Sequence, residues 1–213
     1  FILAAGLGTR LKDLTKDLNL VLNVGGSLSK RTAEGFYQFG ENFKIPTKFF
    51  LNNAANLLAP RETPQATKKV NSAYASASFA YQDFLYVDLT SRNDWSSTLA
   101  EENRSYTYNS ASVSAVLTRF IDPEQETFNL FKVRAGYAQV GNDTDPYQLS
   151  QTFDVPGQGY FGLTTLSAPS IKLNPDLKPE QVTSVEFGIE GSMLGNRLNF
   201  DISVYDKETT DMI

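Results

Sequence analysis

Few groups in this chain could do chemistry. None of its 213 residues is Cys or His, which removes thiolate ligands, disulfides, the commonest general base and the commonest metal ligand. Oxygen donors remain. Asn142-Asp143-Thr144-Asp145 presents hard oxygens of the kind that hold Ca²⁺. The run lacks the Gly and the distal Glu of the known loop pattern, so a solvated turn is expected instead. Glu101-Glu102 supplies two carboxylates, the raw material of acid–base catalysis. Neighbours in a polar loop seldom face one another, and an exposed acidic loop is the expectation. Phe36, Tyr37, Phe39, Tyr147, Tyr160 and Phe161 could stack on sugar rings or pack a peptide; for any single one, holding its own loop together is the stronger expectation. No catalytic residue, cofactor ligand or metal ligand emerges from this search, and no substrate residue can be named.

The elements that would position these groups are strands. In Arg197 to Tyr205, Leu198, Phe200, Ile202 and Val204 alternate with Asn199, Asp201, Ser203 and Tyr205, the period of a strand with two unlike faces. Val182 to Gly191 sets Val185, Phe187 and Ile189 against Ser184, Glu186 and Glu190, and the residues 192–196 between the two runs read as a hairpin link. Asn71 to Tyr81 and Phe84 to Arg92 form a second hairpin about Gln82-Asp83, with Val87 and Leu89 on its apolar side. Further strands are expected near 17–24, 109–120 and 129–140. That makes about seven antiparallel strands.

Their links alternate in length: long at 25–70, tight at 82–83, medium at 94–108, short at 121–128, long at 142–181 and short at 192–196. Short periplasmic turns and long extracellular loops are the pattern of outer-membrane barrels, and compact soluble sandwiches rarely hold structureless links that long. On this pattern the long set faces outward and the short set the periplasm. The charged faces (Asp88, Arg92, Lys132, Arg134, Glu186, Glu190, Asp201) suit a wet or plugged lumen as well as the outer surface of a sandwich, and periodicity does not separate the two. Mean hydropathy of −0.29 fits either. No stretch reaches the roughly 18 apolar residues of a membrane-spanning helix. Net charge is −5 with scattered cations, against nucleic acid as a partner. The chain opens at Phe1 and stops at Ile213 beside a strand-like run, so both ends read as cut.

Several motifs, in order, resemble the SusC/RagA family of TonB-linked outer-membrane transporters. They are Asn71-Ser72-Ala73-Tyr74-Ala75-Ser76-Ala77 running on to Leu89-Thr90-Ser91-Arg92-Asn93-Asp94-Trp95-Ser96-Ser97-Thr98-Leu99; Tyr106 to Leu117; Lys132-Val133-Arg134-Ala135-Gly136-Tyr137 with Gly141-Asn142; Leu173-Asn174-Pro175-Asp176-Leu177-Lys178-Pro179-Glu180; and Asn196-Arg197-Leu198 with Tyr205 to Asp211. The resemblance covers residues 17–213. It implies an all-β antiparallel transmembrane barrel of about 22 strands, of which this is a segment, with a plug domain upstream. It also implies import of oligosaccharides or peptides, a SusD-like surface lipoprotein as lid, and energy from TonB with ExbB and ExbD.

Residues 1–16 are discordant. Ile2-Leu3-Ala4-Ala5-Gly6-Leu7-Gly8-Thr9-Arg10-Leu11-Lys12 resembles the signature of sugar-phosphate nucleotidyltransferases. That resemblance implies a Gly-rich loop in which Gly6, Gly8, Thr9 and Arg10 hold a nucleoside triphosphate. The Pro-Lys pair of that family is absent, and nothing after residue 30 alternates strands with helices. Transport is the leading reading, and nucleotide-sugar synthesis the alternative.

Overall fold

The computed structural model describes residues 2–15, 17–124, 127–153, 155 and 160–212, with side chains described from residue 17 onward except at 160. Eight strands form one antiparallel sheet: β1 (Ile2–Thr15), β2 (Leu18–Tyr37), β5 (Arg61–Tyr81), β6 (Leu85–Ser96), β7 (Ser105–Val116), β8 (Phe128–Asn142), β9 (Glu180–Met193) and β10 (Leu198–Thr210). Each pairs with its neighbour in sequence, except that β2 and β5 are joined through a small separate hairpin, β3 (Gly40–Phe43) with β4 (Ala54–Leu57). A meander of this kind needs only local hairpin closures.

Register carries the alternation seen in single strands across the whole sheet. One row runs Leu20, Phe79, Val87, Val113, Ala135, Phe187 and Val204 from β2 to β10. A row three residues along runs Asn23, Ser76, Thr90, Ser110, Ala138, Ser184 and Lys207. One face of the sheet is therefore apolar and the other polar. The polar face bonds to itself: Asn23 Nδ2 donates to Ser76 Oγ at 3.2 Å, Ser78 Oγ to Asp88 at 2.6 Å, and Thr90 and Ser110 hydroxyls lie 2.6 Å apart. Farther along, Lys132 reaches Glu190 at 3.4 Å, and Arg134 forks onto Asp201 at 2.7 and 3.2 Å.

What separates a membrane wall from a sandwich is the missing second layer. A sandwich buries its apolar face against a partner sheet about 10 Å away. Here the sheet is a single layer, and among the described residues the buried apolar side chains are Ala54 and Leu99 alone. Phe187, Ile202 and Leu198 stand 62%, 55% and 51% exposed. An apolar face this large, left open, belongs against another apolar phase.

The structure moves several expected boundaries. Residues 25–37 and 61–70, expected within a long link, continue β2 and β5, so the link proper is 38–60. Thr and charged residues there (Lys30, Arg31, Thr32, Thr67, Lys68, Lys69) pair in register with both faces polar, which leaves no apolar alternation to read. The remaining links are 82–84, 97–104, 117–127, 143–179 and 194–197. Gln82 and Asp83 both have positive φ (47° and 53°), as a tight two-residue hairpin turn demands. A single helical turn, α1 (Thr118–Ile121), caps the short-link end. There Phe84 packs edge-on against Tyr81 and Phe120 at 5.8 and 5.3 Å, an aromatic cluster of the kind found at membrane boundaries.

The discordant N-terminus is a wall strand. Ile2–Lys12 pairs residue by residue with β2, from Ile2 opposite Ser29 to Lys12 opposite Asn19. This adds an eighth strand to the seven expected. The stretch that resembles a phosphate-binding loop is extended backbone in a ladder, with no helix after it.

Candidate functional site

The long-link end of the polar face carries a buried cluster. Its base is on β6, where Arg92 and Asp94 stand two residues apart on one face. Arg92 Nε donates to Asp94 Oδ1 at 2.8 Å and Arg92 Nη2 to Ser72 Oγ of β5 at 2.9 Å. Tyr108 of β7 donates its hydroxyl to Asp94 Oδ2 at 2.8 Å. Both carboxylate oxygens of Asp94 are engaged, which a 5% exposed carboxylate requires.

Above this layer β8 leaves the wall. Its ladder with β7 stops at Ser110 opposite Ala138, while its ladder with β9 continues to Asn142 opposite Glu180. Alternation would place Gly141 on the apolar side with Tyr137. Instead a Cβ built on Gly141 would lie 2.6 Å from the Tyr106 ring and 3.3 Å from that of Tyr108, rings that rise from the polar face of β7. The end of β8 has therefore folded inward across β7. Only a residue without a side chain lets the strand lie on those two rings, whose centroids are 6.2 Å apart in a stack.

The inward fold delivers Asp143 to β5 and β6. Its carboxylate pairs with Lys68 Nζ and accepts from Ser96 Oγ, and Thr98 Oγ1 donates to it at 3.3 Å. Lys68 also donates to the Thr144 carbonyl at 3.3 Å. Ser96 and Thr98 are 1% and 3% exposed, and their hydroxyls lie 2.9 Å apart. The segment Asn142–Asp145 is thus neither a Ca²⁺ loop nor a solvated turn: an ammonium group holds Asp143 in a buried pair, while Asn142 and Asp145 face out. Among the described residues no cluster of carboxylates has metal-binding geometry.

Both ends of the 143–179 link are fastened. Near its start, Tyr147 donates to the Gln65 carbonyl at 3.2 Å. Near its finish, Asn103 Nδ2 donates to the carbonyls of Asp176 and Leu177, each at 3.2 Å. The link therefore lies across the end of the polar face. Chemically the cluster can hold a loop and offer hydrogen bonds at its edge.

The other sequence candidates scatter. Glu101 is an exposed loop carboxylate bound to Arg104 at 3.0 Å, and Glu102 is exposed beside it, as the acidic-loop reading has it. Phe36 and Tyr37 lie on β2 rather than in a loop. Phe36, Phe39, Tyr147 and Phe161 are 79%, 62%, 64% and 87% exposed. Of these rings Tyr37 and Phe39 meet edge-on at 5.4 Å. Tyr147, through the Gln65 carbonyl, and the Tyr37–Phe39 pair fasten their own segments, whereas the Phe36 ring stands exposed; the Tyr160 side chain lies outside the described residues. Lys68, Thr98 and the role of Gly141 were not foreseen. The motifs Arg92 to Leu99 and Gly141-Asn142 did mark the region, without indicating that the two would meet.

Residues 5–213 match the family described as TonB dependent receptor-like, beta-barrel. The chain belongs to the TonB-dependent receptor β-barrel family. Within it, TonB-dependent receptor P26 of Formosa agariphila is 30% identical over 152 residues, 68% of this chain and 15% of that protein. Among solved structures, the RagAB peptide transporter superposes with a TM-score of 0.80 at 20% identity, over 99% of this chain and 24% of that one. The RagAB peptide importer in its open-open state gives 0.78 at 19%, over 98% and 23%. The chain thus spans a quarter or less of the length of these relatives. It is a segment of an outer-membrane receptor β-barrel, and the RagAB structures share its fold.

Proposed function

We propose that this chain forms part of the wall of an outer-membrane importer of large nutrients, oligosaccharides or peptides, driven through TonB with ExbB and ExbD. The observation that carries the reading is the 143–179 link, held across the mouth of a continuous polar face by the buried Asp143 cluster. A loop so placed meets whatever enters the lumen. A plug domain upstream fills that lumen, and a SusD-like lid lipoprotein docks on the outward links 38–60 and 143–179. The apolar face meets lipid, and the 38–60, 97–104 and 143–179 links face outward. The protein does no covalent chemistry, uses no cofactor and binds no nucleic acid. The solved structures of like fold are of one peptide transporter, RagAB, which favours peptides between the two cargo classes.

The test is excision of residues 148–170 from the full receptor, which leaves the Asp143 cluster and the Asn103 contacts in place. Uptake of the native nutrient and co-purification of the lid protein should fall sharply, while the barrel still assembles, because surface loops tolerate change better than strands. Unchanged uptake and lid binding would refute the placement of the loop. Nucleotide-sugar formation by the purified receptor from sugar 1-phosphates and nucleoside triphosphates would refute the transport reading itself.

A further inference from the structure

The inward fold of β8 leaves part of β7 without a neighbour. At the two ends of β7, the Arg104 carbonyl accepts from Ser96 N–H at 2.9 Å and Val116 N–H donates to the Phe84 carbonyl at 2.7 Å. Even-numbered residues of this strand thus turn their backbone groups towards β6. Leu117 turns its N–H the other way, onto the Phe131 carbonyl of β8 at 2.7 Å. Backbone groups alternate in direction along an antiparallel strand, so Ser105 and Thr107 aim N–H and C=O at the side where β8 would lie. The β7–β8 ladder ends at Ser110 opposite Ala138, whereas the β6–β7 ladder continues to Ser105. Among the described residues no strand takes the place of β8 beside Ser105 and Thr107.

A cavity of about 210 Å³ lies against that edge. Four consecutive residues of β7 line it, Ser105 and Thr107 from one face and Tyr106 and Tyr108 from the other. It therefore lies in the plane of the sheet and not on either face. Its far side is Gly141 of β8 and Gln181 of β9, themselves paired. At the long-link end Asn103 closes it, through the bonds to the Asp176 and Leu177 carbonyls. The cavity thus has the position of a short added strand. At this level the lipid side is polar too: Tyr137 and Val185 give way to Gln139 and Thr183, then to Gly141 and Gln181. Proteins blunt an open edge with Lys, Pro or a bulge. Ser105 to Asn109 has none of these, and its Tyr and Thr residues favour strand pairing.

We propose that this slot takes the N-terminal end of an extended cargo peptide, which adds to the edge of β7 as a short strand. The proposal rests on the reading above, that the chain is part of an importer, and narrows its cargo to peptides. Ser105 and Thr107 each offer a donor and an acceptor, about 6.6 Å apart along the strand. An extended peptide presents its own groups at that repeat; a sugar chain has no such pairing of N–H with C=O. Main-chain pairing gives affinity with little demand on side chains, which suits cargo of mixed sequence. Glu102, Glu180 and Asp211 line the same cavity, with Lys178 as its only cation. None of these four has an ion-pair partner among the described residues. The ammonium group of a peptide N-terminus offsets that excess of carboxylates, where a C-terminal carboxylate would add to it.

The experiment uses the full receptor purified in detergent. The probe is a short peptide of alternating valine and threonine, with a free N-terminus and a fluorophore at its other end. Binding is read by fluorescence anisotropy. N-methylation of one alternate set of its amides should weaken binding about ten-fold, as loss of two backbone hydrogen bonds implies; the other set should matter little. Acetylating the N-terminus should cost about three-fold, and Glu180→Gln with Asp211→Asn should remove that difference. Thr107→Pro deletes an edge N–H and spares the β6 ladder, which uses the other side of the strand. It should weaken binding of the unmodified peptide about ten-fold, whereas Thr107→Val should keep it. Heat-modifiable migration shows whether each variant is folded; if the proline variant is not, the two N-methylated peptides decide on the wild type. Equal affinity of those two peptides overturns the proposal, as does unchanged affinity of a folded Thr107→Pro variant. Competition by a malto-oligosaccharide as strong as that by unlabelled peptide overturns it too. Uptake of the peptide by whole cells reports separately on the underlying reading. If Thr107→Pro binds and imports the peptide like the wild type, the slot alone is wrong; if the wild type neither binds nor imports it, the peptide-import reading fails.

Discussion

Truncating Asp143 should release the start of the 143–179 link without disturbing the barrel. Removing one partner of a buried ion pair commonly costs about 3–5 kcal/mol. Two features reduce that figure here. The Lys68 side chain is 26% exposed against 7% for Asp143, so its ammonium can turn towards water. The Ser96 and Thr98 hydroxyls, 2.9 Å apart, can satisfy one another once the carboxylate is gone. About 2 kcal/mol remains, or about a thirty-fold rise in the population of the released link. Hydrogen exchange on the full receptor in detergent reads this directly: amides of 96–99 and 143–148 should exchange about thirty-fold faster in Asp143→Ala, while those of the β9–β10 hairpin should not change. Lys68→Ala combined with Asp143→Ala should cost less than the two singly, with a coupling of about 1 kcal/mol or more. Unchanged exchange at 143–148, or strict additivity, would refute the idea that this cluster is what pins the link.

Two further outcomes follow from the packing. Gly141→Ala should loosen the same link, because its Cβ would lie 2.6 Å from the Tyr106 ring; adding Tyr106→Ala should restore protection in hydrogen exchange, and a lack of rescue would mean that the contact is incidental. Ile202→Arg on the apolar face should destabilise the barrel by about 2–4 kcal/mol in a bilayer refolding titration, whereas Asn199→Arg on the polar face should be mild; equal losses would mean that the faces are assigned the wrong way round.

The fold class was legible in the sequence wherever one strand face meets an apolar phase. Leu198 to Val204 and Val185 to Ile189 alternate because only one side of each strand can touch it, and the loop lengths carry the sidedness. Where both faces are wet, as at Lys30 to Thr32 opposite Thr67 to Lys69, the same signal is silent, and the second part of a twenty-residue strand, from residue 25 on, reads as a loop. Local likeness misled at residues 2–12: the run resembles a phosphate loop, but its backbone is set by the ladder with β2. A single strand's pattern also could not choose between a sandwich and a membrane wall, since both want alternation. That choice needed the count of layers. The polar cluster is the clearest case of what sequence withholds. Lys68, Ser96 and Asp143 are far apart along the chain, and alternation assigns Asp143 to the side of the strand away from the other two. Composition and periodicity determined a sheet with one oily and one wet face. Only the tertiary structure decided that β8 leaves its ladder at Ala138 and rolls over β7, because that crossing depends on a ring stack and a missing side chain meeting in space.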